Sequence, residues 1–260
     1  MGCRAVIFMP KGTSAARIAN VEMFGAQVKI VDGTYDDAVA QARADAQGHG
    51  WVLVQDMAWD GYEEIPAWIM AGYRTIVAEC FEVLGHRKPS HVVLQAGVGS
   101  FAAAVQADLL ARFGDARPTT IIVEPDRAAC FYESMAAGGG QARKATGDLQ
   151  TIMAGLACGM PSTLAWEVLS QTADLFVACP DRVACRGMRV LGNPLDGDPA
   201  VVSGESGAVG LGLVYETLTD PALVDLKEAM GLNQASEVLV ISTEADTDPE
   251  MYRRVVWGDG

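Results

Sequence analysis

The sequence predicts an α/β protein built as three layers around a mostly parallel sheet. Short β-branched runs alternate along the chain with longer stretches of helical periodicity, which is the pattern of strands joined by crossover helices. Two of these runs, VVLQ at 92–95 and VLVIST at 238–243, are almost continuously apolar, as strands buried on both faces are. With 260 residues, of which 50% are hydrophobic, the chain can enclose a large core.

Seven short runs are predicted to be strands, because each is rich in β-branched or apolar residues and is bounded by turn-forming residues. In order along the chain they are residues 5–9, 27–31, 51–55, 91–95, 119–123, 175–178 and 237–242. The clearest helix is predicted over 66–84, where apolar side chains recur every three or four positions. Pro66 suits its first turn and Gly85 suits its C-terminal end. The loop at 60–66 is the predicted domain boundary.

The composition argues against several classes of partner. A net charge of −14 repels phosphate backbones, so nucleic acid is not an expected partner. No apolar run approaches the roughly 18 residues of a membrane span, and no export signal is recognisable, so a cytoplasmic location is expected. The histidines show no metal-ligand spacing. The six cysteines form no CxxC pair, and Cys130 and Cys158 could form a disulfide or serve as buried small hydrophobic residues.

The sharpest local feature is the stretch HVVLQAGVGSFAAAV at 91–105. A buried strand leads into Gly97-Val98-Gly99, and a helix follows. Glycines allow a tight turn and a close approach to a ligand, and the helix N-terminus presents unpaired N–H groups to an anion. The sequence therefore predicts a phosphate site at this turn, without specifying the phosphorylated ligand.

Two other interpretations of this turn stay open at this point. Gly97, Gly99 and Ala102 also fit the dinucleotide fingerprint G-x-G-x-x-G/A. Glu124 ends the next strand, where that motif places an acid for the ribose. This combination would indicate an NAD-dependent oxidoreductase. The glycines could also serve only the packing of the strand against the helix.

Eight segments spread along the chain carry more information than the turn alone, above all QDMAWDGY at 55–62 and TIMAGLACG at 151–159. The full set lies at 9–26, 54–73, 92–100, 121–130, 151–159, 187–194, 203–212 and 238–248. Together and in this order they resemble the diaminopropionate ammonia-lyase family. That family is identified as a member of the wider group of fold-type-II, or tryptophan-synthase-β-like, pyridoxal-phosphate (PLP) enzymes.

The resemblance implies a fold and a chemistry. The fold would be the three-layer type of those PLP enzymes, with residues 1–65 as a remnant of the small α/β domain and 66–260 as the large PLP-binding domain. The activity would be α,β-elimination of 2,3-diaminopropionate to pyruvate and ammonia, with PLP as cofactor. The partners would be a small amino-acid substrate and a second chain, which is either a second copy in a homodimer or a chain that supplies the missing N-terminal half.

The resemblance also implies roles for individual residues. The cofactor phosphate would be held by Ala96, Gly97, Val98, Gly99 and Ser100. Ser242 or Thr243 would face the pyridine nitrogen, unless they only cap the end of their strand. Asp56 would lie at the active site and accept a proton or hold the substrate's ammonium group. The alternative for Asp56 is a loop carboxylate that caps the backbone of Trp59 or Gly61.

One feature of the family is absent from the sequence. The family places a Schiff-base lysine, and an Asn-His motif with a neighbouring aspartate, before the segment MPKG, which starts here at Met9. The lysines of this chain, none of which lies in such a motif, are Lys11, Lys29, Lys88, Lys144 and Lys227. We therefore expect that the sequence begins inside a domain and that this chain alone is not a competent lyase. Two alternatives remain: a related PLP dehydratase that acts on serine or threonine, and a non-catalytic chain that binds PLP, other phosphate compounds or a partner.

Overall fold

The computed structural model describes residues 2–258, and this range contains six strands and ten α-helices. The strands are β1 (Val6–Pro10), β2 (Gln27–Val31), β3 (His91–Gln95), β4 (Thr119–Pro125), β5 (Leu175–Cys179) and β6 (Val238–Val240). The helices are α1 (Ala15–Glu22), α2 (Tyr35–His49), α3 (Glu64–Leu84), α4 (Ser100–Phe113), α5 (Cys130–Ala136), α6 (Thr163–Thr172), α7 (Asp181–Gly192), α8 (Glu205–Thr219), α9 (Val224–Met230) and α10 (Pro249–Trp257).

Four strands form the main sheet in the order β5-β4-β3-β6, and all neighbouring strands are parallel. Strands β1 and β2 form a separate parallel pair. The predicted α/β fold with a mostly parallel sheet is confirmed. Because parallel strands all end at the same edge of a sheet, the turn after β3 lies on the edge where such folds bind ligands.

Helices cover both faces of the main sheet, because alternate side chains of a strand point to opposite sides. Val92 and Leu94 of β3 pack into one core with helices α3, α4 and α6. Val93 points the other way and packs into a second core with α7, α8 and α9. The result is the predicted three layers, with the sheet between two layers of helices.

The long helix predicted at 66–84 is confirmed, with its start two residues earlier at Glu64. Pro66 lies in its first turn, where an N–H would have no helical acceptor. Gly85 ends the helix with a φ of 61°, in the left-handed region that favours glycine. Helix α2 starts at a capping box, in which the side chains of Thr34 and Asp37 each accept a hydrogen bond from the other's backbone N–H.

The strand predicted at 51–55 is wrong. The segment has no regular secondary structure, and Val52 and Val54 are 77% and 67% exposed. β-branched residues favour a strand only where a neighbour completes the hydrogen-bond ladder, and within residues 2–258 no strand pairs with this segment. Strand β6 ends at Val240, two residues earlier than predicted. The next carbonyl, that of Ile241, accepts its hydrogen bond from the Gln95 side chain at 2.8 Å and not from a neighbouring strand's backbone.

The division of the chain into residues 1–65 and 66–260 stays a prediction. The two-stranded pair precedes the proposed boundary and the main sheet follows it, while α3 already begins at Glu64. Among the helices of the described range, none combines the length and the apolar character needed to cross a membrane.

Candidate active site

The turn after β3 depends on glycine for its shape. Gly99 has a φ of 89°, which side-chain-bearing residues rarely adopt. A Cβ atom at this position would also lie inside 3.0 Å of the Phe131 ring, which is fully buried. The turn therefore needs glycine at position 99 for two independent reasons.

The backbone N–H groups of this turn are available to a ligand. In the range that the structure describes, the six amides of residues 97–102 donate to no oxygen of the protein, although the Val98 amide faces the Cys158 thiol. The first amide of the helix to find an acceptor is that of Ala103, which bonds to the Gly99 carbonyl at 2.8 Å. These amides surround the N-terminus of the 14-residue helix α4, where the helix dipole favours an anion.

Two buried thiols lie beneath the turn. A Cβ atom at Gly97 would meet the Cys158 Sγ and the Gly155 carbonyl at 3.0 Å, and the Cys130 Sγ approaches the Gly97 carbonyl at 3.7 Å. Both cysteines are free, and burial raises the pKa of each thiol. They act here as protonated packing groups, which is the second of the two interpretations given for them.

The side chain of Gln95, the last residue of β3, links the segment after β6 to the strand that leads into the turn. The Gln95 Nε2 donates to the Ile241 carbonyl at 2.8 Å and to the Thr243 Oγ1 at 2.9 Å. The Ser242 hydroxyl donates to the Ser203 Oγ at 2.7 Å. Thr243 thus accepts within the protein and keeps its own proton for a ligand, whereas the proton of Ser242 is engaged.

Asp56 lies beside the start of α4, because its backbone carbonyl accepts the Ser100 hydroxyl at 2.7 Å. Its carboxylate does not cap the loop, since the Trp59 amide bonds to the Tyr62 carbonyl and the Gly61 amide bonds to Glu63. Burial raises the pKa of the Asp56 carboxyl. The arrangement provides a partly desolvated carboxyl group next to the anion-binding turn.

The structure therefore brings all the predicted site residues to one edge of the sheet. The strand pairing of β3 with β6 places Ser242 and Thr243 beside the turn at 96–100, and Ser100 draws in Asp56. Sequence reasoning missed Arg17, which contacts Glu205 and Glu244 at separations of 188 and 227 residues along the chain. No local pattern predicts a contact between residues so far apart.

Glu124 does not have the place that a dinucleotide site requires. Its carboxylate oxygens accept the backbone N–H groups of Phe131 and Tyr132 at 2.8 and 2.7 Å, and the residue is fully buried. The carboxylate caps the start of α5 and has no free oxygen that faces a ligand. The alternative interpretation as an NAD-dependent oxidoreductase, which gave Glu124 a ribose to bind, is therefore not favoured.

Glu124 should make the stability of the protein depend on pH. Burial raises the pKa of its carboxyl from 4.5 to about 8, although the two backbone N–H donors act in the opposite direction. The folded state therefore binds the Glu124 proton more tightly than the unfolded state does. The resulting contribution to the free energy of unfolding is fully present below pH 4.5 and is lost as the pH rises through about 8. Compared with Glu124→Gln, the wild-type free energy of unfolding should fall across that window. Urea denaturation of both proteins from about pH 5 to about pH 9 measures this, and parallel curves would contradict it.

Within the described range, none of the five lysines bonds to or pairs with a residue of the turn at 97–102. Lys11 pairs with Asp32 at 2.8 Å, and Lys29 pairs with Asp45 at 2.7 Å. Lys88 donates to the Ala116 carbonyl, the Lys144 side chain is 67% exposed, and Lys227 lies in the last turn of α9. None is desolvated beside the turn in the way that a Schiff-base lysine must be.

The fold and this edge of the sheet define a class of cofactor-dependent enzymes. The chain belongs to the pyridoxal-phosphate dependent enzyme family, whose sequence pattern matches residues 1–243. Two curated relatives are diaminopropionate ammonia-lyases. The one from Salmonella typhimurium is 45% identical over 261 residues, and the one from Escherichia coli K12 is 48% identical over 259 residues. Each match covers 99% of this chain and 65% of the relative.

A solved structure agrees with these sequence matches. The selenomethionine-labelled holo diaminopropionate ammonia lyase from Escherichia coli superposes with a TM-score of 0.92 at 47% identity, over 98% of this chain and 64% of that one. The predicted resemblance and the tryptophan-synthase-β-like fold are confirmed. The chain spans about 65% of the length of the curated relatives that it matches.

The residues present suit PLP. A phosphate group is bound well by several N–H donors at a helix N-terminus, and the turn supplies six that donate to no oxygen of the described protein. A pyridine nitrogen can accept a hydrogen bond from a hydroxyl group, and the Thr243 hydroxyl, bonded to the Gln95 side chain, has a proton available. The donor set therefore fits both ends of the cofactor.

Proposed function

We propose that the protein to which this chain belongs is a diaminopropionate ammonia-lyase, which eliminates ammonia from 2,3-diaminopropionate and yields pyruvate and a second ammonia. The observation that carries the proposal is the set of free amides at 97–102, in a chain that is 45% and 48% identical to two diaminopropionate ammonia-lyases. PLP is the cofactor of the proposed reaction, since the chain belongs to the PLP-dependent enzyme family.

In the proposed site, the backbone amides of Gly97, Val98, Gly99 and Ser100 hold the cofactor phosphate. The role predicted for Ala96 is not supported, because its N–H donates to the Val123 carbonyl at 3.0 Å. The hydroxyl of Thr243 faces the pyridine nitrogen, with Ser242 as the neighbouring hydroxyl. A neutral donor leaves that nitrogen largely unprotonated, which suits elimination better than transamination. When bound, PLP supplies an electron sink for the carbanion at the substrate Cα.

Asp56 is the proposed catalytic residue. Its backbone carbonyl accepts the Ser100 hydroxyl at the start of α4, and burial raises the pKa of its carboxyl above the ordinary value. A carboxyl group in this place can serve in proton transfer. The same group can hold one ammonium group of a substrate that carries two amines. An acid–base group in this place assists the loss of the β-amine.

The purified chain tests this proposal. With PLP added, we expect a change in the cofactor's absorbance on binding, no lysine adduct after borohydride treatment, and no appreciable pyruvate from diaminopropionate, because no lysine lies at the turn. Diaminopropionate should perturb the bound cofactor at about tenfold lower concentration than serine does, since Asp56 can pair with its second ammonium group. Asp56→Asn should remove this difference.

The matched control is Asp60→Asn, which changes an exposed carboxylate in the same loop and should preserve the preference. Binding of NAD in place of PLP would overturn the proposed function. Appreciable pyruvate release, or a reducible adduct on one of the five lysines, would contradict the inference that no lysine of this chain forms a Schiff base with PLP.

We further propose that the protein is cytoplasmic and acts with a second chain, in the simplest case as a homodimer. The six cysteines are free thiols, as a reducing compartment requires. Met23 and Phe24, between α1 and β2, and Ile30 of β2 expose apolar side chains, which favours a covering partner. Sedimentation of the same preparation should show self-association, and a well-folded monomer would contradict it.

A further inference from the structure

Helix α1 is tied to the C-terminal part of the chain by one arginine. The Arg17 Nη2 donates to the Glu205 Oε2 at 3.2 Å and to the Glu244 Oε1 at 3.1 Å, and its Nε donates to the Thr247 Oγ1 at 3.2 Å. The three charged side chains are only 20%, 4% and 14% exposed. Since water screens this cluster little, its loss should have a larger effect than the loss of a surface ion pair.

Glu244 is the centre of this cluster. Its Oε2 accepts the Ser206 backbone N–H at 2.9 Å, and its backbone carbonyl accepts the Gly204 N–H at 2.9 Å. The Thr247 hydroxyl donates to the Oε1 at 2.8 Å. One glutamate therefore joins the segment after β6 to the first turn of α8, where a carboxylate also interacts favourably with the helix dipole.

The packing around Glu244 leaves it little freedom. A Cβ atom at Gly204 would lie 2.8 Å from the Glu244 side chain, and one at Gly207 would lie 2.9 Å from its backbone nitrogen. Glu244 directly follows Thr243, whose hydroxyl accepts from Gln95 at 2.9 Å. Any shift of Glu244 therefore also moves the Thr243 hydroxyl relative to the turn at 97–100.

We propose that Arg17 is a positioning residue for the cofactor ring. It fixes Glu244 against α8 and thereby holds the Thr243 hydroxyl at the distance from the phosphate turn that the pyridine ring requires. The inference rests on the proposed function, since it takes the ligand to be PLP. It places the effect of Arg17 at the ring end of the site, on the Thr243 hydroxyl, and not at the phosphate end, on the amides of residues 97–100.

The test compares two ligands on the same protein. In Arg17→Met, the affinity for PLP should fall about tenfold, whereas the affinity for inorganic phosphate should stay within about twofold of wild type. Hydrogen exchange of the Gly204 and Ser206 amides should become at least about tenfold faster in the ligand-free protein. The control is Arg254→Met, which removes an arginine from the exposed pair with Glu250 and should change none of these quantities.

Two further variants keep the test decisive if Arg17→Met folds poorly. Arg17→Lys keeps the charge but loses the planar group that reaches two carboxylates, so an intermediate loss of PLP affinity is expected. Glu244→Gln keeps an acceptor for the Ser206 N–H, and combining it with Arg17→Met should weaken PLP binding no further than Arg17→Met alone.

The outcomes separate the possible roles. If Arg17→Met lowers thermal stability but leaves the ratio of PLP affinity to phosphate affinity unchanged, Arg17 is only a stabilising ion-pair partner and the proposal is wrong. If wild type binds phosphate but not PLP, the proposed function fails instead. In that case the exchange rates at Gly204 and Ser206 still show whether Arg17 holds Glu244 in place. Unchanged rates in Arg17→Met would show that it does not.

Discussion

Replacement of Gly212 by alanine is expected to lower the free energy of unfolding by at least about 3 kcal/mol, and the Tm by roughly 6–12 °C. Gly212 of α8 faces Gly187 of α7. A Cβ atom at 212 would lie well inside 3.0 Å of the Val183 carbonyl oxygen and 3.0 Å from the Gly187 backbone nitrogen. Because these neighbours are backbone atoms within a helix, no side-chain rotation can relieve the clash. The two helices would have to separate, and the core that Val183 and Leu213 share would open.

The matched control for this prediction is Gly210→Ala in the same helix. A Cβ atom there would meet the Val93 side chain at 3.5 Å, an ordinary contact. Alanine should therefore leave the stability unchanged or raise it by up to about 1 kcal/mol through its higher helix propensity. Thermal and urea denaturation of both variants measure the difference, and equal stabilities would show that close contact of the two helices does not limit the fold.

Replacement of Gly99 by alanine is expected to weaken PLP binding by roughly 30- to 1000-fold, corresponding to about 2–4 kcal/mol. The residue has a left-handed φ of 89°, and the added Cβ would collide with the buried Phe131 ring. The backbone can relieve both problems only by rotating the peptide groups of the turn. That rotation directs the free amides at 97–102 away from a common point, so phosphate binding should fall in parallel with PLP binding.

Gly114→Ala is the control for this second prediction, because Gly114 lies at the other end of α4. It has a positive φ of 54°, but nothing within 4 Å of the position where a Cβ would be. It should cost about 1 kcal/mol of stability and leave both affinities unchanged. Titration with PLP and with inorganic phosphate measures the effect. A Gly99→Ala protein that binds both ligands as wild type does would mean that the turn does not hold the phosphate.

The positions of the four strands in the main sheet were predictable from the sequence, because burial on both faces requires nearly continuous apolar runs. The strand predicted at 51–55 had the same local composition and was wrong. Whether such a run becomes a strand depends on a neighbour that donates and accepts backbone hydrogen bonds, and composition carries no information about that neighbour.

The candidate site likewise combines features that the sequence predicts with features that depend on how the chain packs. Glycines between a strand and a helix predict an anion-binding turn from the sequence alone, since the conformation and the free amides are local properties of the backbone. The order of the diagnostic segments likewise predicts the family, which the match over residues 1–243 confirms.

Only the tertiary structure decided which side chains surround that turn. It directed the Glu124 carboxylate to the start of α5 and away from any ribose, and it left the Thr243 hydroxyl, not that of Ser242, with a free proton. It also brought Arg17 to Glu244 across 227 residues. Such contacts depend on how the elements pack, because the energy that selects them comes from burial and hydrogen bonds between segments that the chain itself keeps far apart.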